Sequence, residues 1–259
     1  MCSSDISNFG EVAKDGAISA IIVQFGNGNV FVQSGDHANI PADLTKAFCK
    51  DPLAPVAGVF GDADQAADML GQLGLLDAGF NINASDILYQ LKLEGLIVPV
   101  NARADDFQMV DASQVDRSTL LQWLRAYEIE ALGAQDTPEL DGKIASRLVH
   151  ALDARNLWAL IVDDKPVSLS GFNAQLPDMV QVGPVWTPPE HRSNGYARIL
   201  VAKTLLAARS RGVVDAILST DSEAAAKAYE ALGFKNIGRY RLALLKSPVK
   251  LKSMLETQP

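Results

Sequence analysis

Between Met179 and Thr220 an apolar stretch, a proline pair, a long apolar run at helical spacing and a second apolar stretch follow one another. That order leaves a chain few ways to fold. Met179–Trp186 reads as a strand that stops at Thr187-Pro188-Pro189, because two prolines without N–H groups cannot continue a hydrogen-bonded ladder. A helix is expected from about Gly195 to Ser210, where only Lys203 and Thr204 interrupt the apolar residues of Ile199–Ala208. Arg211-Gly212 closes it, and Val213–Thr220 returns as a buried strand. Asp221 or Ser222 then caps a last helix that carries Ala225, Tyr229 and Leu232 on one face and stops at Gly233, before a final strand at Asn236–Leu245. Strand–helix–strand crossover units therefore account for the end of the chain, and the class is α/β (α+β).

Upstream, Leu120, Trp123, Leu124, Tyr127 and Ala131 share one helical face and Gly133 follows as a stop. Thr137-Pro138-Glu139 reads as a cap with a first-turn proline, opening a helix with Leu140, Ile144, Leu148 and Leu152 on one side. Leu157–Val162 and Val167–Phe172 read as a hairpin about Asp163-Asp164-Lys165-Pro166. In the first part of the chain, Ala17–Phe25 and Val30–Gln33 flank the turn residues Gly26-Asn27-Gly28-Asn29. Gly61–Leu73 has helical spacing, and Asp86–Leu93 alternates as a half-buried strand. Ile97–Asp106 lacks periodicity and reads as a linker between an N-terminal α/β domain at 1–100, without a recognisable chemical motif, and a second domain at 105–248.

Composition narrows the function classes. A chain of 259 residues makes one large domain or two small ones, and 48% hydrophobic residues supply a core. No apolar run approaches the ~20 residues of a membrane span. Met1–Asp5 opens without a basic region or an apolar stretch, so neither a signal peptide nor a membrane role is expected and a cytoplasmic protein is. The net charge of −8 disfavours a nucleic-acid partner. Cys2 and Cys49 cannot make a disulfide framework, and with three histidines no metal-ligand spacing appears.

The first chemical signal is the strand–loop–helix junction at Val185–Ala197. A helix start exposes unpaired N–H groups and a positive dipole end, Gly195 lets backbone approach a ligand, and Arg192 adds fixed charge, so the junction suits phosphate. Val185-Trp186-Thr187-Pro188-Pro189-Glu190-His191-Arg192-Ser193-Asn194-Gly195-Tyr196-Ala197 resembles the strand and Q/R-x-x-G-x-G/A loop of the GNAT superfamily of N-acetyltransferases. Ala224-Ala225-Ala226-Lys227-Ala228-Tyr229-Glu230-Ala231-Leu232-Gly233-Phe234 is similar to that family's A-x-x-x-Y-x-x-x-G-F signature, and the resemblance covers roughly Phe107–Leu245. It implies a GNAT fold for the second half and acetyl-CoA as co-substrate, with no metal. Arg192, Ser193, Asn194, Gly195, Tyr196 and Ala197 would then face the pyrophosphate, and Val185, Trp186 and Thr187 the pantetheine arm. Tyr229 takes the place of the general acid that protonates the leaving thiolate. Ser193 stands where many members have glycine, and Ser222 where an asparagine often contacts the cofactor.

Other candidates are weaker. Glu130 lies seven residues after Trp123 and so at the edge of the same apolar stripe, placed to bind or deprotonate an amine or to be a solvated carboxylate. His191 reads as structural, His37 and His150 have no partner pattern, Cys49 reads as a small buried hydrophobe, and Asp163-Asp164 as solvated turn residues. The reading that results is acetyl transfer from acetyl-CoA to a primary amine of a small-molecule or peptide acceptor by direct attack. The competing readings are a catalytically silent acyl-CoA sensor, and a tandem acyl or aminoacyl transferase whose N-terminal half is a degenerate GNAT-like unit.

Overall fold

In the computed structural model, which describes residues 6–12, 16–35, 39–103 and 106–251, the polypeptide divides into two units. Residues 1–86 and 238–259 make the first, and residues 87–237 the second. Met1–Asp5, with Cys2, and His37 lie outside the described residues.

The first unit begins with an antiparallel meander of β1 (Ile6–Val12), β2 (Ile18–Phe25) and β3 (Asn29–Ser34). The expected hairpin turn lies between β2 and β3, where Gly28 N–H donates to Phe25 O at 2.8 Å. Helix α1 (Ala42–Lys50) crosses over to β4 (Val56–Asp62), which runs parallel to β3. Helix α2 (Ala63–Gln72) follows, its start fixed by the Asp62 carboxylate accepting from the N–H groups of Asp64 and Gln65. Alternation along β2 and β3 buries Ala20, Ile22, Val30 and Val32, which join Phe48 of α1 and Met69 of α2 in one core. Strand β5 (Phe80–Lys92) then leaves this unit after Asp86. It is longer than the Asp86–Leu93 reading, because Phe80, Ile82 and Ala84 continue the alternation even though Asn81 and Asn83 between them are poor strand formers.

The second unit contains β6 (Gln108–Asp111), α3 (Arg117–Leu132), α4 (Pro138–Asp153), β7 (Leu157–Val162), β8 (Lys165–Gln175), β9 (Met179–Trp186), α5 (Tyr196–Ser210), β10 (Asp215–Thr220) and α6 (Glu223–Glu230). β6 to β9 form an antiparallel meander, β10 runs parallel to β9, and the second half of β5 pairs antiparallel with β10 (Tyr89 with Leu218). Strand β11 (Lys235–Val249) starts here and returns to the first unit, where Tyr240–Leu244 pair with Gly58–Asp62 of β4.

Pleating sends successive residues of β7 to opposite faces. Leu157 joins Leu169 and Trp186 under Leu120, Leu124, Ile144 and Leu148 of α3 and α4. Leu160 packs with Ile199 and Leu200 of α5, and further along α5 Val201 and Leu205 meet Tyr89, Val180 and Leu218. The second unit is therefore a sheet with helices on both faces.

Local expectations differ in two places. Ile97–Asp106 is no open linker: Ile97 N–H donates to Leu232 O at 2.9 Å, and Ala102 is buried with Leu160 and Val167. The contact is hidden in an aperiodic segment because the 3₁₀ turn at Val100–Arg103 carries Ala102 inward while Val100 stays exposed. Thr137 precedes α4 but makes no side-chain capping bond. Of the two candidate caps of α6, Ser222 serves, its Oγ accepting from Ala225 N–H at 3.3 Å.

Candidate functional site

The site begins where β9 leaves its neighbour. Parallel pairing joins only Met179–Gln181 to Asp215–Ile217, and among the described residues no ladder pair links β9 to β10 beyond it. Sequence explains the break. Gly183 adopts φ +149°, a conformation costly for residues with a Cβ, and Pro184 has no N–H to donate. The register with β8 also shifts here, from Phe172 opposite Val182 to Ser170 opposite Val185, so β9 carries an extra residue and bends. Val185 and Thr187 thus lie on a segment that β10 does not pair. Trp186 is buried, and its carbonyl accepts from Ser168 Oγ at 3.1 Å, with Thr187 Oγ1 2.9 Å from the same hydroxyl.

After Pro188 a short 3₁₀ turn, Pro189–His191, leads into the loop. Ser193 and Gly195 are both left-handed, φ +65° and +74°, so the chain coils tightly into α5. Ser193 therefore accepts the conformation that glycine supplies more readily. Asn194 braces the coil, its Nδ2 donating to His191 O at 3.2 Å and Arg192 O at 3.1 Å. The first bond of α5 runs from Ile199 N–H to Gly195 O at 3.0 Å. The N–H groups of Tyr196, Ala197 and Arg198 accordingly have no acceptor within the helix. Tyr196 itself turns aside, its ring 6.4 Å from His191 and 6.3 Å from Phe107.

Arg192 is held on three sides. Its Nε donates to Thr187 O at 3.0 Å, its Nη2 reaches the Glu130 carboxylate at 2.9 and 3.0 Å, and its guanidinium lies 4.9 Å from the Trp186 ring centre. Glu130 of α3 and the loop are thereby tied together, an arrangement that spacing along the sequence does not reveal.

Tyr229 is buried in the core that includes Val180 and Val182 of β9, with Val185 packed against the same core. Its ring meets Phe234 edge-on at 5.9 Å. Burial, with a smaller contribution from the Tyr127 phenol, pushes its pKa well above that of an open tyrosine. Tyr127 on α3 was legible only as one member of an apolar stripe. Ser222 also closes the turn before α6, its N–H donating to Thr220 Oγ1 at 3.1 Å.

The remaining candidates lie apart from these groups in role. Cys49 is buried in the first unit, and burial raises its thiol pKa. His150 is exposed in the last turn of α4. Asp163 and Asp164 are exposed with φ +49° and +59°, the conformation of a two-residue hairpin turn. Among the described residues no group of three or more His, Cys, Asp or Glu side chains is placed to hold a metal ion.

A meander, a glycine loop at a helix start and a parallel strand that parts from its neighbour make an α/β domain with an open strand edge ahead of a helix N-terminus. Residues 118–234 match the acetyltransferase (GNAT) family, and the second half of the chain is a GNAT domain. Among solved structures, a GCN5-related N-acetyltransferase from Kribbella flavida is 15% identical, with TM-score 0.56, covering 88% of this chain and 87% of its own. A GCN5-related N-acetyltransferase-like protein from Streptococcus suis is 15% identical, with TM-score 0.52 and coverage of 94% and 89%. A tandem GNAT protein from the clavulanic acid biosynthesis pathway is 13% identical, with TM-score 0.52 and coverage of 93% and 83%. At these identities the likeness is one of fold. It extends over most of the chain and is consistent with an N-terminal GNAT-like unit. No curated protein matches the sequence.

Proposed function

We propose that the protein transfers an acetyl group from acetyl-CoA to the primary amine of a small-molecule or peptide acceptor, which attacks the thioester directly. The observation that carries this reading is the parting of β9 from β10 after Gln181, ahead of the left-handed coil at Ser193–Gly195. An unpaired strand edge offers N–H and C=O groups to an amide-bearing pantetheine arm, and a helix start offers N–H groups to a diphosphate. Both fit the residues present.

Val185 and Thr187 present main-chain groups to the pantetheine arm beside the buried Trp186. The N–H near Val185 stabilises charge developing on the carbonyl oxygen as the amine adds. Arg192, Ser193, Asn194, Gly195, Tyr196 and Ala197 form the diphosphate loop, and Ser222, which fixes the start of α6, stands where the family's asparagine often contacts the cofactor. Tyr229 donates its proton to the leaving thiolate. Its raised pKa keeps the phenol protonated across the physiological range. Glu130 is engaged by Arg192, which favours holding the loop over taking a proton from the amine. Bound acetyl-CoA supplies the activated acyl group; the chain supplies alignment, the N–H donor and the proton.

A panel of primary amines assayed by acetyl-CoA-dependent thiol release, with mass detection of acetylated product, tests the reading. Amine-dependent release supports it. Tight CoA binding without turnover across the panel would favour the sensor reading instead.

A further inference from the structure

We propose that Arg239 and Arg241 of β11 form a binding site, in the first unit, for a phosphate dianion, free or carried as a monoester; the assignment is independent of the acetyl-CoA reading above. Tyr240 pairs with Asp62 and Arg241 with Gly61, the last two residues of β4, so both arginines stand at the carboxyl end of a strand that runs parallel to β3. That end is where open α/β sheets receive ligands.

Alternation along β11 puts Arg239 and Arg241 on one face, roughly 7 Å apart. Strand β5 meets them with Ser85 and Asn83. Arg239 donates from Nε to Ser85 Oγ at 2.9 Å and from Nη2 to Ser85 O, and Arg241 donates from Nε to Asn83 Oδ1 at 3.0 Å. All of these acceptors are neutral. Among the described residues no carboxylate pairs with either guanidinium. Elsewhere the chain answers such cations with acids: Arg125 with Asp136 and Asp141, Arg147 with Glu128, Arg192 with Glu130. Acidic residues outnumber basic ones 31 to 23, so two adjacent cations without an acid run against the composition. Like charges side by side repel, and fixing two long side chains costs rotamer freedom. A bound anion offsets both.

The anchoring bonds select the ligand. They leave Nη1 and Nη2 of Arg241, and Nη1 of Arg239, without acceptors among the described residues. On the β4 side the neighbour of Arg241 is Gly61, so no side chain from that position stands against the guanidinium. A carboxylate, with one charge and two oxygens, is satisfied by a single guanidinium fork and leaves the second cation unanswered. A phosphate dianion matches two charges and offers at least three oxygens to donors from both arginines.

The test titrates inorganic phosphate into the full-length chain at neutral pH, with acetate and chloride at matched ionic strength beside it, and reads binding by calorimetry and melting temperature. Two variants accompany the wild type. Arg239→Gln/Arg241→Gln removes both cations, and Asn83→Asp leaves them in place but sets an acid against Arg241. Phosphate should raise the wild-type melting temperature, and acetate and chloride should do so far less. The double variant should weaken phosphate binding at least about 10-fold, as loss of charge-assisted bonds does. Asn83→Asp should also weaken it, while its ligand-free melting temperature does not fall because Arg241 gains an ion pair; should the double variant fail to fold, this one decides. Lowering the pH to about 5, where phosphate takes up a proton and the arginines stay charged, should weaken binding. Wild-type phosphate affinity in these variants would overturn the assignment, as would equal stabilisation by acetate. Phosphate binding that is lost in Gly195→Val but kept in the arginine variant would put the anion at the start of α5 and overturn it as well.

Discussion

Tyr229 is the residue at which packing and chemistry are hardest to separate, since it is both a core aromatic and the proposed acid. Replacing it by phenylalanine separates them. The ring and its contact with Phe234 stay, while the proton donor is lost. Because the phenol acts on the thiolate only as it departs, turnover should drop about 10²–10⁴-fold with CoA affinity near normal. Steady-state kinetics beside a CoA titration checks this, and unchanged turnover would leave Tyr229 a packing residue. The tight turn at Gly195 was legible because a glycine ahead of a helix start marks one, whereas Arg192 and Tyr229 were singled out only through the motifs that hold them. The partnership of Glu130 with Arg192 spans 62 positions, and no local pattern encodes a contact of that separation.

The elements behave as their periodicities predict, and the departures have physical causes. The strand–helix–strand units from Met179 onward were legible because they join short apolar runs to a long apolar helix. The break in β9 was not, although Gly183-Pro184 within a strand is itself a sign of interrupted pairing. Two predictions belong to this scale. At φ +74° a β-branched residue is strained, so Gly195→Val should distort the start of α5 and abolish the rise in melting temperature that the proposed reading expects CoA to give the wild type. Between β5 and β10, Asp215 accepts from Lys92 Nζ at 2.7 Å and Gln90 Nε2 at 2.9 Å, and the lysine holds its pKa below the usual carboxylate value. The folded state therefore favours the ionised form. The resulting stability is present above the unfolded pKa, about 4, and is lost as pH falls through the lower folded value. With Lys92 largely exposed, Asp215→Asn should cost on the order of 1 kcal/mol at neutral pH. Denaturant melts at pH 7 and pH 3 should show the difference shrinking at the lower pH; a difference that persists would mean packing dominates.

At the scale of the whole molecule, the two units repeat one order: an antiparallel meander, a crossover helix, a parallel strand, a helix and a strand that passes into the other unit. This repetition was hard to read from sequence because the first unit lacks the loop residues that mark the second. The reason shows at the end of β3. Where β9 has no ladder partner on its β10 side beyond Gln181, Ser34 has both of its main-chain groups satisfied by the Gln65 amide, at 2.8 and 2.9 Å. Asp68 and Gln72 likewise take the N–H and C=O of Ile40 ahead of α1, and Asp43 adds negative charge to that helix's first turn. The first unit thus fills with its own side chains the positions that the proposed reading gives to CoA in the second. Calorimetric titration of the full-length chain with CoA is the most direct check. One molecule bound per chain, abolished by Gly195→Val, is the predicted result; two per chain, or binding that survives that substitution, would contradict a single acyl-CoA site at the start of α5.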